Sequence, residues 1–298
     1  MDRPRAGLRP LTAPDQAPSS GPFIDLHVHS SASDGSLAPE AVVARAAAAG
    51  LAAVSLTDHD TVAGVAAAVA AGERLGVRVV AGCEFSTAAP WGEMHVLGYF
   101  LPTDSPVLES FLQRRRDDRV RRGRAMVDRL RDMGVTLDFE DVLRQARGGA
   151  VGRPHVARAI VLSGGAAGMS EAFHRYIGRG RPAFVEKVLP TFAEVAELVH
   201  AVRGIVSLAH LKDRGTRSFL ERLKGQGLDA IETRHPSHDP DTRARLTDIA
   251  LGLGLLRTGG SDWHGDPEPG ESHGAIGSQE VPLEWLERLD QHRLCEVP

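Results

Sequence analysis

Seven short apolar runs constrain this chain more than any other feature. They are Phe23–His29, Ala52–His59, Arg78–Ser86, Met94–Leu101, Gly204–His210, Ala230–His235 and Leu255–Asp262. Most have strand length and are rich in Val, Ile and Leu without strict polar alternation, the pattern of strands buried on both faces of a parallel sheet. Helical patterns lie between them. Ser36 is placed to cap a helix through Ala49, with Gly50 beyond, and Thr61–Leu75 ends at Gly76. Thr191–Val202 and Asp239–Leu251 form later helices. Strand and helix alternate at both ends of the chain, so the expected class is α/β with a parallel sheet.

The middle breaks this rhythm. From about Pro102 to Lys187 the patterns are helical only: Pro106–Met133, Phe139–Arg147, Arg153–Leu162 and Ser170–Gly178. The expected organisation is a barrel in two parts, 22–101 and 188–298, with a helical insertion domain over 102–187. Residues 1–21 are rich in Pro, Ala, Ser and Arg, lack an apolar core and read as a disordered tail. The 298 residues suit one barrel with a small insert.

Cys83 and Cys295 are the two cysteines, too few for a disulfide framework or a cysteine-rich zinc site, and the expected setting is a reducing cytoplasm. With no run of about 18 apolar residues, no transmembrane helix is expected. The net charge of −4 gives no global case for binding duplex nucleic acid or a membrane.

Chemistry-bearing residues gather at one end of the runs. His29, His59, Glu84, His210, His235 and Asp262 lie at or near C-terminal ends, where parallel barrels build their sites. His95, near the start of its run, is the exception. Residues i and i+2 of a strand face one side, so His27 and His29 present two imidazoles to one spot, and Asp262 and His264 repeat the spacing. Imidazoles so placed suit metal ligation, with Asp25 able to orient a ring.

Several neighbours are open to two readings. Asp34 is a ligand or part of an Asp–Gly turn. Asp58 and Asp60 flank His59 as supporting carboxylates, or Asp60 caps a helix. Glu84 follows a buried apolar run and needs a partner, which a metal or an arginine supplies. His95 and His210 gain meaning as members of the set. His235 and His238 contact substrate or donate a proton, or belong to a plain loop.

The insertion is basic. Residues 111–158 hold 13 Arg against seven Asp and Glu, about +6, which leaves the rest of a −4 chain near −10. Arg114, Arg115, Arg116, Arg119, Arg121, Arg122 and Arg124 form either a lid that grips phosphate or a solvated helix face. Arg153 and His155 open a helix, where anions bind well.

Taken together, Asp25–His29 with Ser33–Gly35, Thr57–Asp60, Gly82–Glu84, His95, His210 and Gly259–Gly265 resemble the polymerase and histidinol phosphatase (PHP) superfamily of metal-dependent phosphoesterases. Gly152–Arg158, Arg179–Pro182 and His235–His238 are similar to the subgroup of 3′,5′-nucleotide bisphosphate phosphatases and 5′→3′ exoribonucleases. The resemblance implies a distorted seven-stranded (β/α) barrel and two or three divalent ions, Mn²⁺ first, with Fe²⁺ and Zn²⁺ also permitted. It implies one metal on His27, His29, Glu84 and Asp262, a second on Glu84, His95 and His210, and a third on Asp34, His59 and His264. The expected reaction is attack of a metal-activated hydroxide on a small phosphorylated substrate, a nucleotide or short oligonucleotide. Arg153, His155 and His235 are the expected phosphate contacts, and His238 and Asp58 the expected catalytic groups. The chain departs from the subgroup at Leu211, where Pro is usual, and at Thr233-Arg234, where Val-Tyr is common. Alternatives are a histidinol phosphate phosphatase, an amidohydrolase-type barrel, and a degenerate metal-binding regulatory module.

Overall fold

The computed structural model describes residues 21–265 and 274–295. All seven apolar runs carry strands: β1 (Phe23–Val28), β2 (Ala53–Leu56), β3 (Arg78–Ala89), β4 (Gly92–Tyr99), β5 (Ile205–Leu208), β6 (Ala230–Arg234) and β7 (Leu256–Gly259). An eighth, β8 (Val281–Pro282), was not expected from the sequence. The sheet order is β7-β6-β5-β4-β3-β2-β1-β8. Its ends approach each other where Val28 bridges Trp263 in parallel, so the eight-stranded sheet forms a nearly closed barrel.

The expectation of a parallel sheet needs two corrections, the smaller being that β8 pairs antiparallel with β1. β4 runs antiparallel to both β3 and β5, joined to β3 by a tight turn at Pro90 and Trp91. This inversion explains the exception of His95. A residue near the start of an antiparallel strand lies at the same rim as residues at the ends of parallel ones, and His95 pairs with Ser86 near the end of β3.

The helices follow the expected pattern with shifted starts. α1 (Pro39–Ala48) begins at Pro39, not at a Ser36 cap, because proline's fixed φ suits the first helical position. α2 (Val65–Leu75) starts after Gly64 and ends at Gly76, whose φ of 71° serves as a left-handed cap. α3 (Pro106–Asp132), α4 (Phe139–Ala146), α5 (Arg153–Leu162) and α6 (Met169–Ala172) fill the middle, and α6 runs on into a π-helical turn, Phe173–Ile177. α7 (Phe192–Ala201) opens on a Thr191/Glu194 capping box. α8 (Arg217–Lys224), α9 (Pro240–Leu253) and α10 (Leu283–Cys295) complete the chain.

Two kinds of core position the site. Ile24, Leu26, Val54, Leu56, Val96, Val206 and Ile231 are almost wholly buried in the barrel, each stabilising it by about 1.5–3 kcal/mol. α3 to α6 bury a separate cluster that includes Met126, Leu130, Phe139, Val142, Ile160 and Ile177. A buried ion pair ties the two together: Arg119 Nε of α3 donates to Asp60 Oδ2 of the β2–α2 loop at 2.7 Å. Among the described residues no helix is long and apolar enough to cross a membrane. The tail expected over residues 1–21 and His273 lie, apart from Gly21, outside the described residues.

Candidate metal centre

Glu84 is the middle of the site. It lies in the middle of the buried stretch of β3 and is 1% exposed. Its Oε2 lies 3.3 Å from His27 Nε2, 3.1 Å from His29 Nε2 and 3.3 Å from His59 Nδ1. Its Oε1 lies 2.8 Å from His95 Nδ1 and 3.2 Å from His210 Nε2. Asp262 Oδ1 adds a second carboxylate 3.3 Å from both His27 Nε2 and His29 Nε2. On the outer side, Asp34 Oδ1 is 3.4 Å from His264 Nε2, and its Oδ2 is 3.9 Å from His59 Nε2.

Four overlapping donor groups result among the described residues: His27, His29, Glu84 and Asp262; His29, Asp34, His59 and His264; His27, Glu232 and His235; and His59, Glu84 and His95. His210 joins the last group through Glu84 and through His95 Nδ1, 3.3 Å away. All nine residues expected as ligands therefore converge.

The burial makes a cation the natural partner. His27 Nε2, both ring nitrogens of His29 and His59 Nδ1 are buried with no hydrogen-bond partner, a costly state for polar atoms. Burial acts to raise the Glu84 pKa, yet the rings of His95, His59 and His27 hold it well below the usual range. Burial opposes protonation of His29, but the Asp262 and Glu84 carboxylates beside its ring push its pKa up to about 10. Burial takes His59 down to about 3. A metal ion binding here would displace protons from such rings and satisfy the same lone pairs.

The protein also fixes which nitrogen faces inward. His27 Nδ1 lies 3.2 Å from Glu232 Oε1, which leaves Nε2 for the cluster. His264 Nδ1 lies 2.8 Å from the Asp262 carbonyl, which leaves Nε2 toward Asp34. His95 Nε2 meets Glu93 Oε1 at 3.1 Å. Carboxylates and carbonyls on the far nitrogen of a ligating imidazole set its tautomer and orientation. Glu232 and Glu93 escaped the sequence reading. Glu232 had the same signal as Glu84, a carboxylate inside a buried apolar run.

The backbone is strained here. Asp60, His210 and Asp262 have φ of 52°, 29° and 52°. Their N–H groups are claimed by Glu84 O, Glu232 Oε2 and His27 O respectively, at 3.1, 2.8 and 2.8 Å. Such conformations cost ~1–3 kcal/mol each and persist where surrounding structure over-determines them. Gly260 allows the close pass of the chain over β1, since a Cβ there would sit 2.4 Å from His27 Cβ.

Other expected residues are placed differently. Asp25 bonds no ring; it accepts from the N–H groups of His27, Ser261 and Gly277. Asp58 spends its carboxylate on Ser30 N, Ser30 Oγ and Ser33 Oγ, which pins the first loop rather than reaching the cluster. His238 is bonded at both ring nitrogens to backbone, accepting from Lys212 N and meeting Thr233 O. Burial holds its pKa down to about 4. His235 faces Asp262, with Nε2 3.4 Å from Oδ2.

The arginine cluster of α3 is largely spent within the protein. Arg115 and Arg122 donate to Val188 O and Val185 O, Arg116 and Arg121 pair with Glu109 and Asp118, and Arg124 lies over Phe139. Arg153 differs. It rests on Phe173 and Phe184, pairs with no carboxylate among the described residues, and lines a cavity of about 220 Å³ beside His95 and His210. His155, whose Nδ1 accepts from Gly152 N, lines a second cavity with Ser31, Ser33, Arg147 and Arg158. Leu211 packs into the barrel core, and Arg234 lies over Trp285.

Comparison with known proteins places this geometry. A family model described as PHP domain matches residues 25–230. The chain is 33% identical over 247 residues to the 5′-3′ exoribonuclease Rnm of Salmonella typhimurium, covering 80% of this chain and 84% of that one. It is 33% identical over 266 residues to the 3′,5′-nucleoside bisphosphate phosphatase of Chromobacterium violaceum, covering 86% and 91%. A solved structure from Bifidobacterium adolescentis, assigned to the metal-dependent phosphoesterases, superposes with a TM-score of 0.84 at 30% identity over 93% of this chain and 98% of that one.

Proposed function

Because the chain belongs to the PHP-domain family and is a metal-dependent phosphoester hydrolase, we propose that it cuts a phosphoester of a nucleotide, either a 3′,5′-nucleotide bisphosphate or a short 5′-phosphorylated oligonucleotide. The observation that carries this reading is Glu84, a buried carboxylate whose two oxygens face two different groups of imidazoles. A carboxylate so surrounded fits a site for divalent cations. In our reading His27, His29, Glu84 and Asp262 would hold one ion, Glu84, His95 and His210 another, and Asp34, His59 and His264 a third. Mixed oxygen and nitrogen donors favour Mn²⁺, with Fe²⁺ and Zn²⁺ as competitors. Such ions, when bound, lower the pKa of water and stabilise charge on phosphoryl oxygens.

The chain's own groups do the rest. Arg153 binds a substrate phosphate through a guanidinium that forms no ion pair among the described residues. His155 and Arg158 offer a second polar wall beside the Asp34 loop. Glu232 holds His27 Nδ1 and the His210 N–H at once, so two donors keep their direction. His235 steadies Asp262. The free thiols of Cys83 and Cys295 support a cytoplasmic setting.

The test is a Mn²⁺-loaded assay of adenosine 3′,5′-bisphosphate against a 5′-phosphorylated RNA oligomer, with metal content measured in parallel. His27→Ala combined with Asp262→Ala is expected to abolish both metal content and turnover. Full turnover in that double variant would refute the assignment.

A further inference from the structure

The apolar wall of the cavity beside His95 and His210 has no part in the chemistry above. Trp91, in the turn between β3 and β4, lines it together with Met94 and Leu211. The indole is held in place. Its Nε1 donates to the Glu93 carbonyl at 2.9 Å, the Phe219 ring lies 5.1 Å away at a tilt, and Arg179 donates to the Trp91 carbonyl. The Arg214 guanidinium stands 5.3 Å from the indole centre and pairs with no carboxylate among the described residues. Arg153 borders the same space.

An indole face, two aliphatic walls, two guanidinium groups without ion-pair partners among the described residues and the Glu93 carboxylate, already paired with His95 and Lys187, surround about 220 Å³ at the edge of the donor cluster. Each element selects. The Arg153 guanidinium draws phosphate, and the Trp91 indole with the Arg214 guanidinium over it offers a flat, polarisable surface to a heteroaromatic ring. A sugar phosphate without a base would leave that surface bare. Resting on the phosphoesterase reading above, we propose that Trp91 and Arg214 form a stacking platform for a nucleobase, which selects nucleoside phosphates over phosphoesters that lack a base.

Pinning the β3–β4 turn would also suit Trp91, so the experiment must separate recognition from support. The full chain, Mn²⁺-loaded, is assayed with adenosine 3′,5′-bisphosphate and with the matching ribose bisphosphate lacking a base. Trp91→Ala is expected to raise KM for the nucleotide on the order of tenfold with little change in kcat, and Trp91→Phe to recover most of it. KM for the base-free compound is expected to be high and nearly the same in all three proteins. Arg214→Gln should raise KM for the nucleotide alone. Equal losses on both compounds, or a wild type indifferent to the base, would overturn the platform. Indole emission adds a readout without turnover: the nucleotide should quench it and the base-free compound should not. Base-dependent quenching with neither compound cleaved would keep the platform and remove the hydrolase reading. Cleavage of both at equal KM would keep the hydrolase and remove the platform.

Discussion

Glu232 Oε1 lies 3.2 Å from His27 Nδ1, and neither side chain has any contact with solvent. The pair is 205 residues apart in sequence and belongs to β6 and β1. The other oxygen of Glu232 accepts the His210 N–H. One carboxylate therefore disciplines two candidate ligands without belonging to the principal donor group around Glu84.

Glu232→Gln tests that role. The amide keeps the volume but no longer favours a proton on His27 Nδ1. Metal affinity should fall ~10–100-fold, the usual cost of losing such a partner. Competition with a chelator, read by bound-metal analysis, measures it; an unchanged affinity would count against the positioning role.

Arg119 and Asp60 join α3 to the barrel with both side chains largely buried, 8% and 5% exposed. Arg119→Met leaves a buried carboxylate alone and should cost ~3–5 kcal/mol in stability. Adding Asp60→Asn should return much of that loss, since no charge then remains unpaired. Urea midpoints of the single and double variants decide between this and a mere packing effect.

His238 links stability to pH. Burial depresses its folded pKa from 6.5 to about 4. Between those values the unfolded chain binds a proton that the folded one does not, so stability falls as pH drops through the window and is full above it. The span corresponds to ~3 kcal/mol. In His238→Gln the urea midpoint should change less between pH 7 and pH 4.5 than in the wild type; parallel curves would contradict the assignment.

Arg153 predicts an exchange of stability for binding. Burial lowers its pKa, the Glu93 carboxylate across the cavity offsets this only in part, and Arg153 forms no ion pair among the described residues. Arg153→Gln should raise KM for the phosphorylated substrate roughly tenfold, the loss of a charge-assisted contact, while the melting temperature stays the same or rises. A fall in melting temperature with KM unchanged would make Arg153 a structural residue.

Much of this was legible in the sequence. Val, Ile and Leu in short unbroken runs announced all seven main strands, because a strand buried on both faces needs them. The histidine and carboxylate positions announced the site, because imidazoles rarely crowd the ends of apolar strands otherwise. β8 was not legible: two residues carry no period. α8 was short and polar enough to pass for loop. The direction of β4 was not visible either, since apolar runs look alike in both senses, and His95 alone hinted at it. The arginines of α3 misled, because sequence shows charge but not the carbonyls and carboxylates that absorb it.

The barrel closes where Asp262 N–H meets His27 O and His29 N–H meets Trp263 O. The seam of the sheet and the candidate metal ligands are thus the same few residues. Opening the ring and emptying the site would be one event, so hydrogen exchange at these amides should report on metal occupancy as directly as chemical analysis does. It also means that damage to a prop of the seam that touches no candidate ligand's side chain, such as Asp25, would masquerade in any activity screen as the loss of a catalytic group.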